Sequence, residues 1–232
     1  MKLPLVILTG AGISAESGVP TFRGAGGLWK NHRSEDLATP QAFARDPGLV
    51  WSFYAWRREL LQNCLPNKAH TLLAQLEEQF ELTLITQNVD GLHQQAGSLH
   101  LIELHGNIWR LRCTNCERRW EDRRVPLRPS PPICEVCGAI ARPDVVWFGE
   151  RLPADTLNEA AQRAGEARTF AVIGTSAQVY PAAGLALLAR QAGANLVEIN
   201  PEPTPISKYA DVCFRGNATE MVARWLNEAL PA

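Results

Sequence analysis

Four cysteines stand in two C-x-x-C pairs, Cys113/Cys116 and Cys134/Cys137, with seventeen residues between the pairs. Thiolates at that spacing can all reach one tetrahedral ion, and a site closed by four sulfurs has no open position for water or substrate. The expectation is one structural zinc ion; free or disulfide-linked pairs are the alternative, which the spacing disfavours. The same stretch holds Arg110, Arg112, Arg118, Arg119, Arg123, Arg124 and Arg128. Such a cluster suits phosphates or an acidic partner. With no aromatic platform interleaved at regular intervals, a solvated face around a zinc ribbon accounts for it better.

A glycine-bearing turn follows the first apolar run: Thr9-Gly-Ala-Gly-Ile-Ser-Ala-Glu-Ser-Gly-Val-Pro-Thr-Phe-Arg23. Gly10 and Gly12 let backbone amides approach a pyrophosphate, and a helix N-terminus behind them adds a favourable dipole. The dinucleotide fingerprint is incomplete, because Ala15 stands where a third glycine belongs and no second strand ends in an acidic ribose ligand. A nicotinamide dehydrogenase is thereby disfavoured. For proton removal at neutral pH the natural candidate is histidine, with an unperturbed pKa of about 6.5. His32, His70, His93 and His100 accompany His105, and a lone histidine is more often structural. His105 is set apart by its place in Glu103-Leu-His-Gly106, at a strand end just before the cysteine module. Tyr54 and Arg57, three apart on a helix, share a face. Together they can grip a carboxylate; the plain alternative is a core aromatic beside an ordinary surface charge.

These groups need a scaffold. Leu3–Thr9, Leu82–Thr86, Phe170–Gly174, Leu196–Asn200 and Asp211–Phe214 read as buried strands. Between them lie helical stretches at Asn67–Phe80, Pro153–Gly165, Pro181–Gly193 and Ala218–Leu230. Asn67 is a good N-cap, and Ala69, Leu72, Leu73 and Leu76 make an inner stripe. Pro181 suits a first turn and Gly193 an end. Strand–helix alternation of this kind predicts an α/β fold, a parallel sheet with helices on both faces. Pro20–Pro66 shows no convincing strand, although Leu49–Gln62 is helical in pattern. That segment and Gly106–Arg142 read as insertions that build a smaller lobe, a zinc ribbon with a helical insertion.

A chain of 232 residues with 46% apolar residues can bury one substantial core. Its net charge of −1 gives no general attraction to nucleic acid or to an anionic membrane. The run Leu3–Leu8 is too short for a signal peptide, and no stretch approaches the roughly 20 apolar residues of a spanning helix. The remaining cysteines, Cys64 and Cys213, read as small buried residues. A reducing, cytoplasmic setting and a monomer are expected.

At this point the sequence resembles a known family. Gly10-Ala-Gly-Ile-Ser14, Thr21-Phe-Arg23, Thr86-Gln-Asn-Val-Asp-Gly-Leu-His93, Leu104-His-Gly106, the four cysteines and Gly174-Thr-Ser176 occur together in sirtuin order, from about residue 5 to about residue 218. The resemblance implies an NAD-consuming protein-lysine deacylase: a single catalytic domain with a Rossmann-like large lobe (1–19, 67–106, 143–232) and a small lobe (20–66 helical, 107–142 zinc). It assigns the NAD loop to the segment from Gly10 to Trp29, including Ala11, Gly12, Ser14, Ala15, Glu16 and Thr21, with Phe22 and Arg23 near the nicotinamide end. Gln87, Asn88 and Asp90 match the motif that holds ribose and nicotinamide amide. Gly174, Thr175 and Ser176 match a further phosphate and ribose contact, Asn200 and Glu202 the adenosine ribose, and Ala218 the adenine side. His105 becomes the catalytic base.

The implied chemistry is acyl transfer. The acyl oxygen attacks the ribose carbon as nicotinamide leaves, His105 takes a proton from a ribose hydroxyl, and water releases free lysine and O-acyl-ADP-ribose. Within this frame Tyr54 and Arg57 resemble the mark of class III sirtuins, which remove succinyl, malonyl and glutaryl groups, and Ala38 matches a small residue that widens the acyl pocket. Deacetylation should persist beside desuccinylation. The acylated lysine peptide is expected to add a strand along Val145, Val146, Trp147 and Phe148. Two other readings compete. A zinc-ribbon nucleic-acid module leaves the large sheet without a purpose. A mono-ADP-ribosyltransferase shares the first half-step and is separated by its product, ADP-ribosylated protein in place of acyl-ADP-ribose.

Overall fold

The computed structural model describes residues 3–21, 28–29 and 32–228. In chain order its elements are β1 (Pro4–Thr9), β2 (Leu28–Trp29), β3 (His32–Arg33), α1 (Ser34–Leu37), α2 (Pro40–Arg45), α3 (Pro47–Leu61), α4 (Lys68–Gln75), β4 (Glu81–Thr86), α5 (Leu92–Gln95) and β5 (Leu101–Glu103). The second half adds β6 (Gly106–Cys113), β7 (Arg119–Glu121), β8 (Ala141–Val145), α6 (Ala154–Glu166), β9 (Thr169–Ile173), α7 (Gly184–Gln191), β10 (Asn195–Ile199), β11 (Val212–Phe214) and α8 (Ala218–Glu228).

The apolar runs form one parallel sheet in the order β11-β10-β9-β1-β4-β5. Side chains of a strand alternate between faces, and here the alternation sorts the core. Leu5 and Ile7 join Leu84, Ala171 and Val197 on one face, where Leu73 of α4 and Val222 and Trp225 of α8 cover them. Val6 and Leu8 join Ile85, Phe170 and Leu196 on the other, beneath Ala160 and Ala164 of α6 and Leu185 and Ala189 of α7. Each fully buried aliphatic side chain contributes about 1.5–3 kcal/mol relative to exposure. Both faces being dry explains why these strands read as continuous apolar runs.

A third core joins the two insertions. Val50, Trp51, Phe53 and Tyr54 of α3 pack with Ile108 and Leu111 of β6, Ala141 and Val145 of β8, and Trp147. Strands β7, β6 and β8 make an antiparallel sheet that carries the cysteines. The Trp51 indole donates to the Ala141 carbonyl at 2.8 Å. Arg58, 1% exposed, lies with its guanidinium 5.1 Å from the Trp109 ring and 3.6 Å from Asp122. Asp46 caps α3 by accepting from Leu49 N at 2.9 Å, with Pro47 in the first turn.

Several details depart from the sequence reading. The main sheet gains an edge strand, β5, whose three residues are too few to show a period. The segment 20–66, read without strands, holds the two-residue pair β2 and β3. Helix α7 starts at Gly184, so Pro181 belongs to the preceding turn and not to the helix's first turn. Strand β8 spans the expected 142/143 lobe boundary, because its pairing with β6 runs on to Val145. Cys213 is exposed, whereas Cys64 is buried as expected. No helix among the described residues is long and apolar enough to cross a membrane.

Candidate active site

Strands β1, β4, β9 and β10 end at one level, with Thr9 opposite Thr86 and Ile173, and Ile173 opposite Ile199. From β1 the chain proceeds outward to β4 and β5, then returns beyond β1 to β9, β10 and β11. The crevice where such an order reverses, at the carboxyl ends of the strands, is where open α/β sheets bind ligands. Gly10–Ser14, Gln87–Asp90 and Gly174–Ser176 all leave strands at this point.

The two glycine turns interlock. Gly12 N donates to Gly174 O at 2.7 Å, and Gly10 N to Ile173 O at 3.0 Å. Gly174 has φ +62°, and a Cβ there would sit 2.4 Å from Ile13 N. The amides of Gly10 and Gly12 themselves are therefore engaged by the neighbouring turn. Their missing side chains serve the close approach of two backbones. The helix behind them is a 3-10 helix, Ala11–Ser17.

Below the turns lies a buried polar network. Ser14 Oγ donates to Asp90 Oδ2 at 2.8 Å and accepts from Asn88 Nδ2 at 3.2 Å. Asn88 Nδ2 also donates to Gly10 O at 3.1 Å, and Leu92 N donates to Asp90 Oδ1 at 2.9 Å. Burial raises the Asp90 pKa, against the pull of Leu92 N, Ser14 and Arg57. Gln87 Nε2 donates to Thr175 Oγ1 at 3.0 Å, which ties the second motif to the third.

Two histidines that the sequence reading passed over complete the network. His70 Nε2 lies 3.3 Å from Ser14 Oγ, and its Nδ1 accepts from Asn67 N at 3.3 Å. His93 Nε2 lies 3.0 Å from Thr9 Oγ1. Burial holds the His70 pKa down to about 4 and that of His93 well below its usual value. The signal for His70 was its place three residues after the Asn67 cap, where the two form a capping box.

His105 is half-buried at the end of β5, and its Nδ1 lies 2.9 Å from Gln87 O. A carbonyl only accepts, so Nδ1 carries the hydrogen and Nε2 keeps its lone pair. Burial lowers its pKa, opposed by that carbonyl, so the ring is neutral at pH 7. Gly106 (φ +77°) lets the chain pass β8: a Cβ there would stand 2.1 Å from Asp144 O.

On the insertion side, Ala38, Tyr54 and Trp147 share one buried cluster, and Phe148 N donates to Ala38 O at 2.9 Å. Burial pushes the Tyr54 phenol up to about 12. Arg57 is partly exposed, with Tyr54 and Asp90 close enough to favour its charge against a lowering by burial. Arg57, expected to read the acyl group, and Asp90, expected to hold the cofactor, thus lie close enough to influence each other's charge.

Other candidates are placed differently. Glu16 accepts from Thr219 N at 2.9 Å and Oγ1 at 2.6 Å; its carboxylate is taken up at the start of α8, where an anion is favoured. Ala15 lies on the 3-10 helix, and Ala218, the first residue of α8, is buried in the core. Asn200 follows β10 and donates to Glu202 O at 2.8 Å, while the Glu202 side chain is exposed. Ser176 is half-buried after Thr175. Phe22 and Arg23 lie outside the described residues, and of Trp29 only the backbone in β2 is described. Along the expected peptide strand, Val146 N donates to His105 O at 2.9 Å and Trp147 N to Glu150 Oε2 at 2.8 Å. With Phe148 N also engaged, these three amides are not free to pair with an added strand.

The four cysteine sulfurs lie within 4.8 Å of one another. Cys113 sits at the end of β6, and Cys116, Cys134 and Cys137 sit on the two facing turns. Four mutually close thiols with no disulfide among them fit a tetrahedral thiolate site for one zinc ion. Around them Arg110 pairs with Glu103 at 2.6 Å, Arg119 with Asp144 at 3.3 Å, and Arg124 with Asp122 at 2.5 Å, which supports the solvated-face account of the arginines.

A doubly wound sheet of this order, with a histidine at its crevice and a four-cysteine lobe beside it, defines a dinucleotide-binding α/β protein carrying a structural zinc module. The comparisons carry this further. Residues 10–181 match the Sir2 family. An NAD-dependent protein deacylase of Aquifex aeolicus (strain VF5) is 54% identical over 219 residues, covering 94% of this chain and 92% of that protein. A solved Sir2 homolog–NAD complex superposes with a TM-score of 0.91 at 50% identity, covering 96% of this chain and 88% of that one. A Sir2–p53 peptide–NAD+ complex gives 0.86 at 37% identity, covering 97% and 92%. The chain belongs to the Sir2 family.

Proposed function

We propose that the protein is an NAD-dependent protein-lysine deacylase that removes succinyl and malonyl groups as well as acetyl, releasing nicotinamide and O-acyl-ADP-ribose. The family and the named activity of its relatives support the deacylase part. The carboxyl-acyl preference is carried by one observation: Tyr54 and a partly exposed Arg57 lie close enough to interact, with Asp90 near enough to favour the Arg57 charge.

NAD, the co-substrate, supplies a ribose carbon from which nicotinamide can leave. Asn88 and Asp90, held by Ser14, Gly10 O and Leu92 N, orient its nicotinamide end, and Thr175 and Ser176 its phosphate and ribose. His105 Nε2, presented as a lone pair by the Nδ1–Gln87 O contact, accepts the ribose hydroxyl proton. Tyr54 and Arg57 donate to the distal carboxylate of a succinyl or malonyl group. The peptide passes beside 145–149, without pairing to the engaged amides of 146–148, between a large lobe (1–19, 67–106, 143–232) and a small one (20–66, 107–142). The exposed Phe148, at 45%, and Tyr180, at 71%, offer apolar contact beside it. The zinc ion holds the small lobe together and takes no part in the reaction. The reading includes a monomer in a reducing, cytoplasmic setting.

The test is incubation with NAD and matched acetyl- and succinyl-lysine peptides, following nicotinamide and acyl-ADP-ribose by mass spectrometry. Faster turnover of succinyl peptide, lost with His105→Ala, is the expected result. Turnover of acetyl peptide alone keeps the deacylase and removes the carboxyl preference. Absence of nicotinamide release with either peptide rejects the enzyme assignment.

A further inference from the structure

We infer that Trp147 is a positioning residue for acyl selection: its indole N–H fixes the Tyr54 hydroxyl so that the phenolic proton is aimed at the far end of the acyl group. The inference deepens the carboxyl-acyl reading above and rests on it.

Trp147 Nε1 donates to Tyr54 Oη at 2.8 Å, and both side chains are buried. An indole N–H has no acceptor capacity. The phenol oxygen therefore accepts at that contact, and its own proton must find another partner. Among the described residues no protein group takes that proton. Burial keeps the hydroxyl protonated at neutral pH, so it remains a donor. Its two neighbours along the wall complete the reader: Arg57 provides a second donor, and Ala38 leaves space.

The indole is itself clamped. The Arg142 guanidinium stacks 3.3 Å from the ring centroid, and Glu150 holds it at 2.6 and 2.9 Å. Glu150 Oε2 also accepts from Trp147 N at 2.8 Å. Phe43 packs on the ring with centroids 5.1 Å apart. A phenylalanine in this slot would keep the stacking on Arg142 and Phe43 and lose the N–H alone. The N–H is thus the one property of tryptophan here that packing does not account for. Because Trp147 belongs to the 145–149 segment, it joins the peptide side of the cleft to the helix that carries the acyl reader.

The test compares wild type, Trp147→Phe, Tyr54→Phe and the double variant, reading kcat and KM for matched succinyl- and acetyl-lysine peptides at saturating NAD. Loss of one neutral hydrogen bond predicts that Trp147→Phe lowers the succinyl-to-acetyl ratio of kcat/KM by about fivefold, mainly through the succinyl KM. The double variant should discriminate no worse than Tyr54→Phe, because the indole acts only through the phenol. A cooperative thermal unfolding transition of Trp147→Phe reports that the variant is folded; if there is none, the ratio is read instead with Arg142→Met, which loosens the clamp and leaves the indole. A ratio unmoved in a wild-type background that prefers succinyl, or additive losses in the double variant, overturns the role of Trp147 alone. Wild type without succinyl turnover overturns the carboxyl reading and this inference together.

Discussion

The crevice at the strand ends and the proposed acyl wall around Tyr54 come close at Asp90 and Arg57, yet they are built in opposite ways. The crevice is an interlock of backbones: Gly12 and Gly174 approach so closely that neither tolerates a Cβ, and the polar side chains beneath are buried and mutually bonded. The acyl wall is a set of side chains on one helix and one loop, Tyr54, Arg57 and Trp147, each replaceable without moving a strand. The first arrangement leaves little room for change, whereas the second, on the proposed reading, would let one fold select different acyl groups by exchanging a few side chains. On the proposed reading, chemistry sits on the first and acyl specificity on the second.

The comparison breaks most severely at Gly174. An alanine there brings Cβ to 2.4 Å from Ile13 N in a backbone with φ +62°, and the left-handed conformation alone costs about 1–2 kcal/mol. Since the two turns must separate to relieve the contact, Gly174→Ala should lose nearly all NAD cleavage, with acetyl and succinyl peptides affected alike. Retention of more than about a tenth of wild-type nicotinamide release, which corresponds to about 1.4 kcal/mol, would show that the interlock is looser than the contacts indicate.

Removing zinc should act on the other side. The helix carrying Tyr54 and Arg57 shares its core with the zinc sheet and is tied to it by Trp51 and Arg58. Cys134→Ser, or stripping by a strong chelator, should therefore release α3 as well as the cysteine turns. Both activities fall, but faster proteolysis should begin in the small-lobe segments while β1, β4, β9 and β10 keep their hydrogen-exchange protection. Uniform loss of protection across both sheets would mean that the two regions are one cooperative unit.

A milder change sharpens the contrast. Arg57→Met removes a charged donor and keeps most of the apolar stem. Loss of a charge-assisted hydrogen bond is worth about 1.5–3 kcal/mol, so kcat/KM for succinyl peptide should drop by about tenfold or more, with a far smaller change for acetyl. Equal losses would remove Arg57 from acyl selection and leave it a structural residue of α3.

Legibility followed the same division. The parallel strands showed plainly because both faces of the sheet are dry, so Val6 and Leu8 are as apolar as Leu5 and Ile7. Strand β5 was hidden by its length of three residues, and β6 to β8 by the arginines and prolines of a half-wet antiparallel sheet. The glycine turn lies at the crevice, and the amides of Gly10 and Gly12 within it bind another turn. Nothing in a linear reading reveals that contact, because Gly12 and Gly174 are far apart in the chain. The contact of Glu16 with Thr219 was hidden for the same reason, since the two are 203 residues apart. His70 and His93 were left as ordinary histidines because a side chain's burial depends on the packing of helices the sequence does not orient.

Those two histidines give the smallest effect on activity and a clear one on stability. Folding holds His70 neutral by burial, with its pKa down to about 4, against about 6.5 in the unfolded chain. A depressed folded pKa contributes stability that is fully present above the unfolded value and is lost as pH falls towards the folded one. His93 has the same sign, whereas Asp90, whose pKa is raised, opposes them. Between pH 7 and pH 4.5 the urea midpoint should therefore decline, and His70→Gln should flatten that decline while lowering stability at pH 7 through the lost contact to Ser14. If the slope with pH is the same in both proteins, His70 is charged or solvated in the folded state, and the buried network beneath the crevice is not the dry, neutral floor that its contacts describe.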